Sequence, residues 1–227
     1  MTTKRITEPT ARSIAQTNLY ASASAGDLKG IVDALRLWAD INHGDENKVR
    51  ALAYAAGYGR VHAVELLLKR GAAIDHQDHY GCTALMYAAM AGHLRCVALL
   101  IKAGARVEIK SSKGLTALMV AAMEGHLSTV KCIVGYGADI LTEAANGETA
   151  LSMAYRNGHK NVAEYLTGCI CLHAARIGDV QAIDALVNCD RGTVITGKRI
   201  GLTALRLATK YENKAVVKYL KKHITGH

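Results

Sequence analysis

Apolar residues occur along the chain in short runs with a helical period. The run ALMYAAMA from Ala84 places leucine at position i and alanines at i+3 and i+4, and the run ALMVAAME from Ala117 has the same spacing. This spacing puts the apolar side chains on one face of a helix, and the small alanines allow a second helix to approach closely. The runs HLRCVALLIKAG and HLSTVKCIVGYG follow, each apolar at helical spacing and ending in glycine. The pattern predicts pairs of short helices.

These helix pairs repeat at a fixed interval. The segment from Gly81 aligns without a gap with the segment from Gly114. The leucine of the first run recurs at that same interval as Leu19, Leu52, Leu85, Leu118 and Leu151. The interval would next reach Asp184, but the matching leucine comes earlier, at Leu172, and Leu205 then restores the full interval. We therefore expect an array of like units in which one unit, near residues 160–172, is shortened.

Polar residues and glycines mark where each helix begins and ends. A threonine stands before the first run of four units and is a candidate N-cap, because its hydroxyl can accept a free backbone N–H. These residues are Thr83, Thr116, Thr149 and Thr203. The first helices should stop at Gly92, Gly125 and Gly158. The stretch AAIDHQDHYG then alternates apolar and polar residues and closes on glycine, which predicts a projecting, hairpin-like finger.

The motif within these units resembles a known repeat. Residues 78–93 read DHYGCTALMYAAMAGH, which is similar to the ankyrin pattern D-x-x-G-x-T-P-L-H-x-A-A-x-x-G-H. The resemblance extends over about residues 18–227 and implies an all-α, ankyrin-repeat solenoid of helix-turn-helix units with hairpin-like fingers. Ala84 stands at the family's proline, and Met86 and Met119 stand at its histidine, so the family's threonine-to-histidine bonding should be mostly absent. The Thr-Ala-Leu-Met form is also similar to arrays of some protists.

The repeat also predicts the domain organisation. We expect an N-terminal arm over residues 1–17 and one repeat domain over residues 18–227. Its units are about 18–44, 45–77, 78–110, 111–143, 144–168, 169–197 and 198–227. The outermost units of such a stack need polar outer faces. In the last helix, Val216, Val217 and Leu220 should therefore face inward, while the stripe Lys214, Lys218, Lys221 and Lys222 forms a solvated cap.

The composition narrows the class of protein. The chain has 227 residues, of which 50% are hydrophobic, with one Pro and no Phe. No apolar run approaches the roughly 20 residues that cross a bilayer, and the first residues lack the apolar stretch of a secretory signal. We expect a soluble cytoplasmic protein, with a nuclear location as the alternative. The six cysteines form no C-x-x-C pair and should be reduced thiols.

Candidate catalytic and metal-binding groups are few. The cluster Asp75, His76, Gln77, Asp78, His79 has metal-ligand residue types, but it lies on a finger, where acidic residues make local turn bonds. Cys169 and Cys171 are two positions apart and would point in different directions on a helix. His93, His126 and His159 recur at the interval of the leucines, which indicates an architectural role, since catalysis needs one positioned histidine. No cofactor motif is present, and we expect no enzyme activity and no cofactor.

The net charge of +9 leaves an alternative function open. The basic residues of the middle unit are Arg95, Lys102, Arg106, Lys110 and Lys113. Together with the C-terminal lysines they could serve a nonspecific binder of nucleic acid or an anionic surface, although the register divides them between helix and finger. A third hypothesis is chemistry by His76 and Asp78, which loss of an activity on their replacement by alanine would support.

The family resemblance favours a different function, namely a non-catalytic protein-protein interaction module or scaffold. It implies that the partner, another protein, contacts the finger tips and the exposed ends of the first helices along a concave groove. By register the contact residues are Tyr58, His79, Tyr80, Met90, Ser112, Lys113, Leu115, Met123, Glu124, Asn146, Glu148 and Arg156. Met90 and Met123 have an alternative explanation as helix residues half covered by neighbouring fingers.

Overall fold

The computed structural model describes residues 8–188 and 198–224, and this part of the chain is helical. Its helices are α1 (Glu8–Ala25), α2 (Leu28–Arg36), α3 (Ala51–Gly57), α4 (Val61–Lys69), α5 (Ala84–Met90), α6 (Leu94–Lys102), α7 (Ala117–Met123), α8 (Leu127–Gly135), α9 (Ala150–Arg156), α10 (Lys160–Ile177), α11 (Val180–Asn188), α12 (Lys198–Lys210) and α13 (Lys214–Ile224). The described residues form no β-strand, and isolated bridges join Gly44 to Arg50 and Glu143 to Thr149 within two fingers. None of the described helices is both long and apolar enough to span a membrane.

The helices are arranged as a stack of pairs. In the middle units, the first helix has 7 residues and the second has 9. First helices pack on first helices in the order α1, α3, α5, α7, α9, and second helices pack in the order α2, α4, α6, α8. The predicted helix-turn-helix array is therefore confirmed. Helix α1 begins at Glu8, before the position at which we expected the repeat domain to start.

The leucine interval describes the core correctly as far as Leu151. Leu19, Leu52, Leu85 and Leu118 are buried, and Leu151 is partly buried against the same core. The register expected for Leu172 is wrong by one position. Gly178 and Asp179 occupy the places of Gly92 and His93 after the helix, so Cys171, which is fully buried, takes the place of the leucine. The repeat position after Leu151 is therefore Cys171 and not Leu172, which makes the shortened unit one residue shorter than the sequence predicted.

Three of the four expected N-caps are present. Each threonine hydroxyl accepts the backbone N–H of the residue three positions later in the chain. These residues are Met86, Met119 and Ser152. The fourth, Thr203, is not a cap, because α12 begins at Lys198 and Thr203 lies inside it. The backbone N–H of Thr116 donates to Met119 Sδ at 3.4 Å. The methionine sulfur is therefore the acceptor at the position where the family has a histidine.

The repeated histidines join successive units. His126 Nε2 donates to the backbone carbonyl of Met90, and His159 Nε2 donates to that of Met123, each at 2.9 Å. The imidazole of His126 also covers Gly92, where an added Cβ would lie 2.6 Å from its Nδ1. Gly92 has φ of +71°, which a residue with a side chain adopts at a cost. The architectural role of His126 and His159 is confirmed.

The shortened unit divides the core. Helix α10 runs without a break from Lys160 to Ile177, and Thr167 and Gly168 lie buried inside it. One cluster of buried residues extends from Ala15 to Leu166, and a second extends from Cys171 to Leu220. No finger fits between α9 and the second half of α10, so the row of fingers is interrupted there, as expected from the sequence.

The last described helix has the polarity of a cap. Val216 and Leu220 are fully buried and Val217 is partly buried. The lysines of the predicted stripe, Lys214, Lys218, Lys221 and Lys222, are all exposed. At the other end Trp38 is 81% exposed, on a backbone with φ of +65°.

Candidate binding surface

Two aspartates fix the shape of the first fingers. Asp78 Oδ1 accepts the backbone N–H groups of Tyr80 and Cys82, and its Oδ2 accepts the hydroxyl of Tyr87 at 2.5 Å. One carboxylate therefore holds both the turn and the following helix. The local turn bonds expected for Asp78 are confirmed.

Asp45 has the same role one unit earlier. Its Oδ1 accepts the N–H groups of Asn47 and Val49, and its Oδ2 accepts the hydroxyl of Tyr54 at 2.6 Å. The bond to Asp45, with burial as the second cause, raises the pKa of Tyr54 to about 12. Burial first, and then the bond to Asp78, raises the pKa of Tyr87.

Asp75 and His76 of the candidate metal cluster are also engaged in hydrogen bonds. Asp75 bonds to the next unit instead of its own turn, accepting the backbone N–H of Arg106 at 3.0 Å and its Nε–H at 2.9 Å. His76 Nε2 donates to the carbonyl of Lys48. Across residues 8–188 and 198–224, no three His, Cys, Asp or Glu side chains are grouped closely enough to hold a metal ion. The geometry gives the metal hypothesis no support.

Three of the expected contact residues surround one concavity, which we call the tyrosine hollow. Tyr58 and Tyr80 are 58% and 59% exposed, Met90 is also exposed, and Tyr54 and Tyr87 complete the wall. The hollow has a volume of about 400 Å³. Large apolar side chains around a concave surface can bury substantial area against a partner. This arrangement is suited to protein binding.

A second concavity, the N-terminal hollow, lies beside it. It has a volume of about 950 Å³ between α1 and the first finger, and it shares Asp45 and Asn47 with the tyrosine hollow. Gln16 fixes its wall by exchanging two hydrogen bonds with the backbone of Asp40. Sequence reasoning missed this site because residues up to 17 were assigned to an arm. The helical spacing of Ala15, Leu19 and Ala23, all buried, is the signal that would have found it.

Six other expected contact residues lie outside the tyrosine hollow, on two fingers and at the end of α7. His79, Ser112, Lys113 and Glu124 are exposed, and Leu115 is half-buried. Ser112 bonds through both its N–H and its hydroxyl to the carbonyl of Tyr80. Met123 is half-buried, which agrees with the alternative explanation of a helix residue partly covered by its neighbours.

The last three expected contact residues bond to one another. Arg156 pairs with Glu148 at 2.5 Å, and Asn146 Nδ2 donates to the other oxygen of the same carboxylate at 2.6 Å. Asn146 and Glu148 lie on the fourth finger and Arg156 lies at the end of α9, and none of the three lines the tyrosine hollow.

The basic residues of the middle unit are dispersed. Arg106 pairs with Asp75, and Lys110 donates to the carbonyl of Glu143 at 2.9 Å. Arg95 and Lys102 are exposed on α6, and Lys113 is exposed on a finger. These positions do not form one basic track.

The described cysteines are free thiols with little nucleophilic character. Cys96 and Cys171 are fully buried, and burial raises the pKa of each to about 11. Burial also raises the pKa values of Cys82, Cys132 and Cys169. A thiol with a raised pKa is protonated at neutral pH, and the thiolate is the nucleophile. Cys189 lies outside the described residues.

Comparison with known proteins identifies the repeat. The family model described as ankyrin repeats (3 copies) matches residues 19–111 and, in a second match, residues 104–172. These matches together cover more than half of the chain. No curated protein matches it.

Proposed function

The chain belongs to the ankyrin-repeat family, whose repeats generally mediate protein-protein interaction, and from this premise we propose that it is a non-catalytic module that binds a partner protein. The partner contacts the finger tips and the concave face, centred on the tyrosine hollow. Members of the family are typically interaction modules without catalysis, and no arrangement described above supplies an activated nucleophile.

The observation that carries the proposal is the exposure of Tyr58 and Tyr80. Both rings are more than half exposed on an otherwise folded concave surface, although each could bury substantial area. Buried aromatic anchors commonly account for much of the affinity of a protein interface. Tyr54 and Tyr87, which are fixed by their aspartates, hold the wall rigid, so little conformational entropy is lost on binding.

The charge of the neighbouring N-terminal hollow favours one orientation of the partner. Asp40, Asp45 and Glu46 line it against a single Arg12. A bound segment should therefore carry lysine or arginine at the end that reaches this hollow, and its affinity should fall with added salt.

The test is a paired comparison of surface variants. Partners are captured on the full chain and identified by mass spectrometry, and the affinity of a purified partner is measured by calorimetry. Tyr58→Ala with Tyr80→Ala should weaken binding by at least about tenfold, because both anchors are removed. The matched control is Tyr136→Ala with Tyr211→Ala, which removes two exposed tyrosines outside the hollow.

Both double variants should keep the wild-type helical circular dichroism. Equal affinity of the Tyr58/Tyr80 variant and the wild type for every captured partner would move the interface away from the hollow. A loss of binding only in the control variant would have the same meaning.

A further inference from the structure

Adjacent fingers are joined by a regular series of backbone hydrogen bonds. The N–H groups of His79, Ser112 and Ala145 donate to carbonyls of the preceding finger, at Asn47, Tyr80 and Lys113, with lengths of 2.9, 2.9 and 3.1 Å. The acceptors recur at the interval of the repeat, and the next acceptor in the series is Asn146. Within the described part of the chain, no N–H group reaches the Asn146 carbonyl. The series stops because α10 replaces the next finger.

The packing of the finger turns shows the same open edge. A Cβ added at Gly81 would lie 2.6 Å from the N of Ser112, and one added at Gly114 would lie 2.5 Å from the N of Ala145. At Gly147, the corresponding position of the fourth finger, such an atom would have no described neighbour within 4 Å. The fourth finger therefore presents an uncovered side where the second and third fingers are covered.

A second series of bonds ends at the base of the same finger. The side-chain oxygens of Asn42, Asp75 and Glu108 accept the backbone N–H groups of the next unit, at Ala73, Arg106 and Asp139. The fourth position of this series is Leu141, which is 49% exposed. An apolar side chain thus replaces the acceptor where no loop follows between α9 and the second half of α10.

The missing loop leaves a groove with a volume of about 600 Å³. The groove is lined by residues 137–141, by the second half of α10 and by α12. Leu141, Leu172 and Leu207 contribute apolar side chains to its wall, and His173, Arg176 and Asp139 contribute polar ones. The Asp139 carboxylate already accepts the N–H of Leu141 and the hydroxyl of Thr142. Arg176 is exposed and forms an ion pair with no carboxylate among the described residues. We call this surface the finger-gap groove.

We propose that the finger-gap groove binds an extended apolar segment of a partner protein that carries an acidic residue. The segment takes the place of the missing finger. Its backbone donates an N–H to the Asn146 carbonyl, its apolar side chains cover Leu141 and Leu172, and its carboxylate pairs with Arg176. The mode is an extension of the finger series by another chain, comparable to strand addition at an open sheet edge.

Charge distinguishes this occupant from a second copy of the chain. With a net charge of +9, two copies repel each other, whereas an acidic segment is attracted. The groove is also separate from the tyrosine hollow, with which it shares no lining residue. Its occupation therefore does not depend on the function proposed above.

The test uses a displayed library of random linear peptides selected on the full chain. The affinities of the enriched peptides are then measured by fluorescence anisotropy. Peptides that bind the groove should combine apolar residues with Asp or Glu. They should bind Leu141→Asp and Arg176→Glu at least about tenfold more weakly than the wild type, and bind Tyr58→Ala/Tyr80→Ala unchanged. Both groove residues lie at the surface, and Arg176→Glu decides the question if Leu141→Asp fails to fold.

Exchanging the charges of the two partners tests the ion pair between the peptide's acidic residue and Arg176. Replacing the peptide's acidic residue by lysine should weaken binding to the wild type and restore binding to Arg176→Glu. The proposal is overturned if no peptide is enriched, if the enriched peptides bind both groove variants as tightly as the wild type, or if only Tyr58→Ala/Tyr80→Ala loses them. The last result would show that the peptides bind the tyrosine hollow and not the finger-gap groove.

Discussion

The hydroxyl of Tyr54 lies 2.6 Å from Oδ2 of Asp45, nine positions earlier in the chain. The pair joins the first turn of α3 to the finger that precedes it, because the other oxygen of Asp45 accepts the N–H groups of Asn47 and Val49. Tyr87 and Asp78 repeat the pair in the next unit. A tyrosine on the helix and an aspartate on the finger therefore hold the wall of the proposed binding surface.

Removal of this hydroxyl should cost stability. We expect Tyr54→Phe to lower the free energy of unfolding by about 1.5 to 3 kcal/mol, since a hydrogen bond to a charged group is lost. Urea unfolding followed by circular dichroism measures the change. Tyr136→Phe, at an exposed tyrosine outside the hollow, is the control and should leave the free energy unchanged. Equal stability of Tyr54→Phe and the wild type would show that the pair does not hold the finger.

The same pair gives stability a dependence on alkaline pH. The pKa of Tyr54 is raised in the fold from 10.0 to about 12, so the fold favours the neutral hydroxyl. Its contribution is fully present below pH 10 and is lost as the pH rises towards 12. The difference in unfolding free energy between wild type and Tyr54→Phe should therefore be constant below pH 10 and shrink above it. A difference that grows in that range would contradict the assignment.

The centre of the repeat should be the most sensitive to cavities. Leu118 is 1% exposed between neighbouring first helices. We expect Leu118→Ala to lower the free energy of unfolding by about 2–5 kcal/mol, through lost burial and the cavity left behind. Leu94→Ala, at a position that is 40% exposed, is the matched control and should cost much less. A change below about 0.5 kcal/mol at Leu118 would reject the register.

The helix caps offer a prediction that depends on one hydroxyl. Thr116 Oγ accepts the N–H of Met119 at the start of α7. Thr116→Ala should cost about 1 kcal/mol, whereas Thr116→Ser should retain most of the stability, because serine is also a good N-cap. Thermal and urea unfolding of the two variants provide the comparison. If both substitutions cost the same, the loss comes from the threonine methyl group and not from the cap.

The local features of the fold could be predicted from the sequence. The N-cap bonds of Thr83 and Thr116 depend on residues three positions apart, and the burial of Leu85 and Leu118 follows from a period within one helix. The missing finger could also be predicted, because the interval between repeats becomes shorter there. The role of Leu172 could not be predicted, since Cys171 occupies the buried site of the repeat leucine and Leu172 lies immediately beside it.

The candidate sites could be predicted only in part, because local spacing does not specify how successive units pack together. Tyr58 and Tyr80 could be placed by register, but their meeting around one hollow depends on how successive units stack. The pairs of Tyr54 with Asp45 and Tyr87 with Asp78 were missed, although both residue types recur at the interval of the repeat. The finger-gap groove needs α12 beside the base of the fourth finger, which no local pattern specifies.

The helix that joins the two cores has a mechanical consequence. Helix α10 supplies Leu166 to one cluster and Cys171 to the other, and it packs against α9 on one side and α12 on the other. When the chain is pulled from its two ends, tension passes from one cluster to the other through this helix. Among the described residues, the C-terminal cluster has fewer buried side chains than the N-terminal cluster, so it should yield at a lower force.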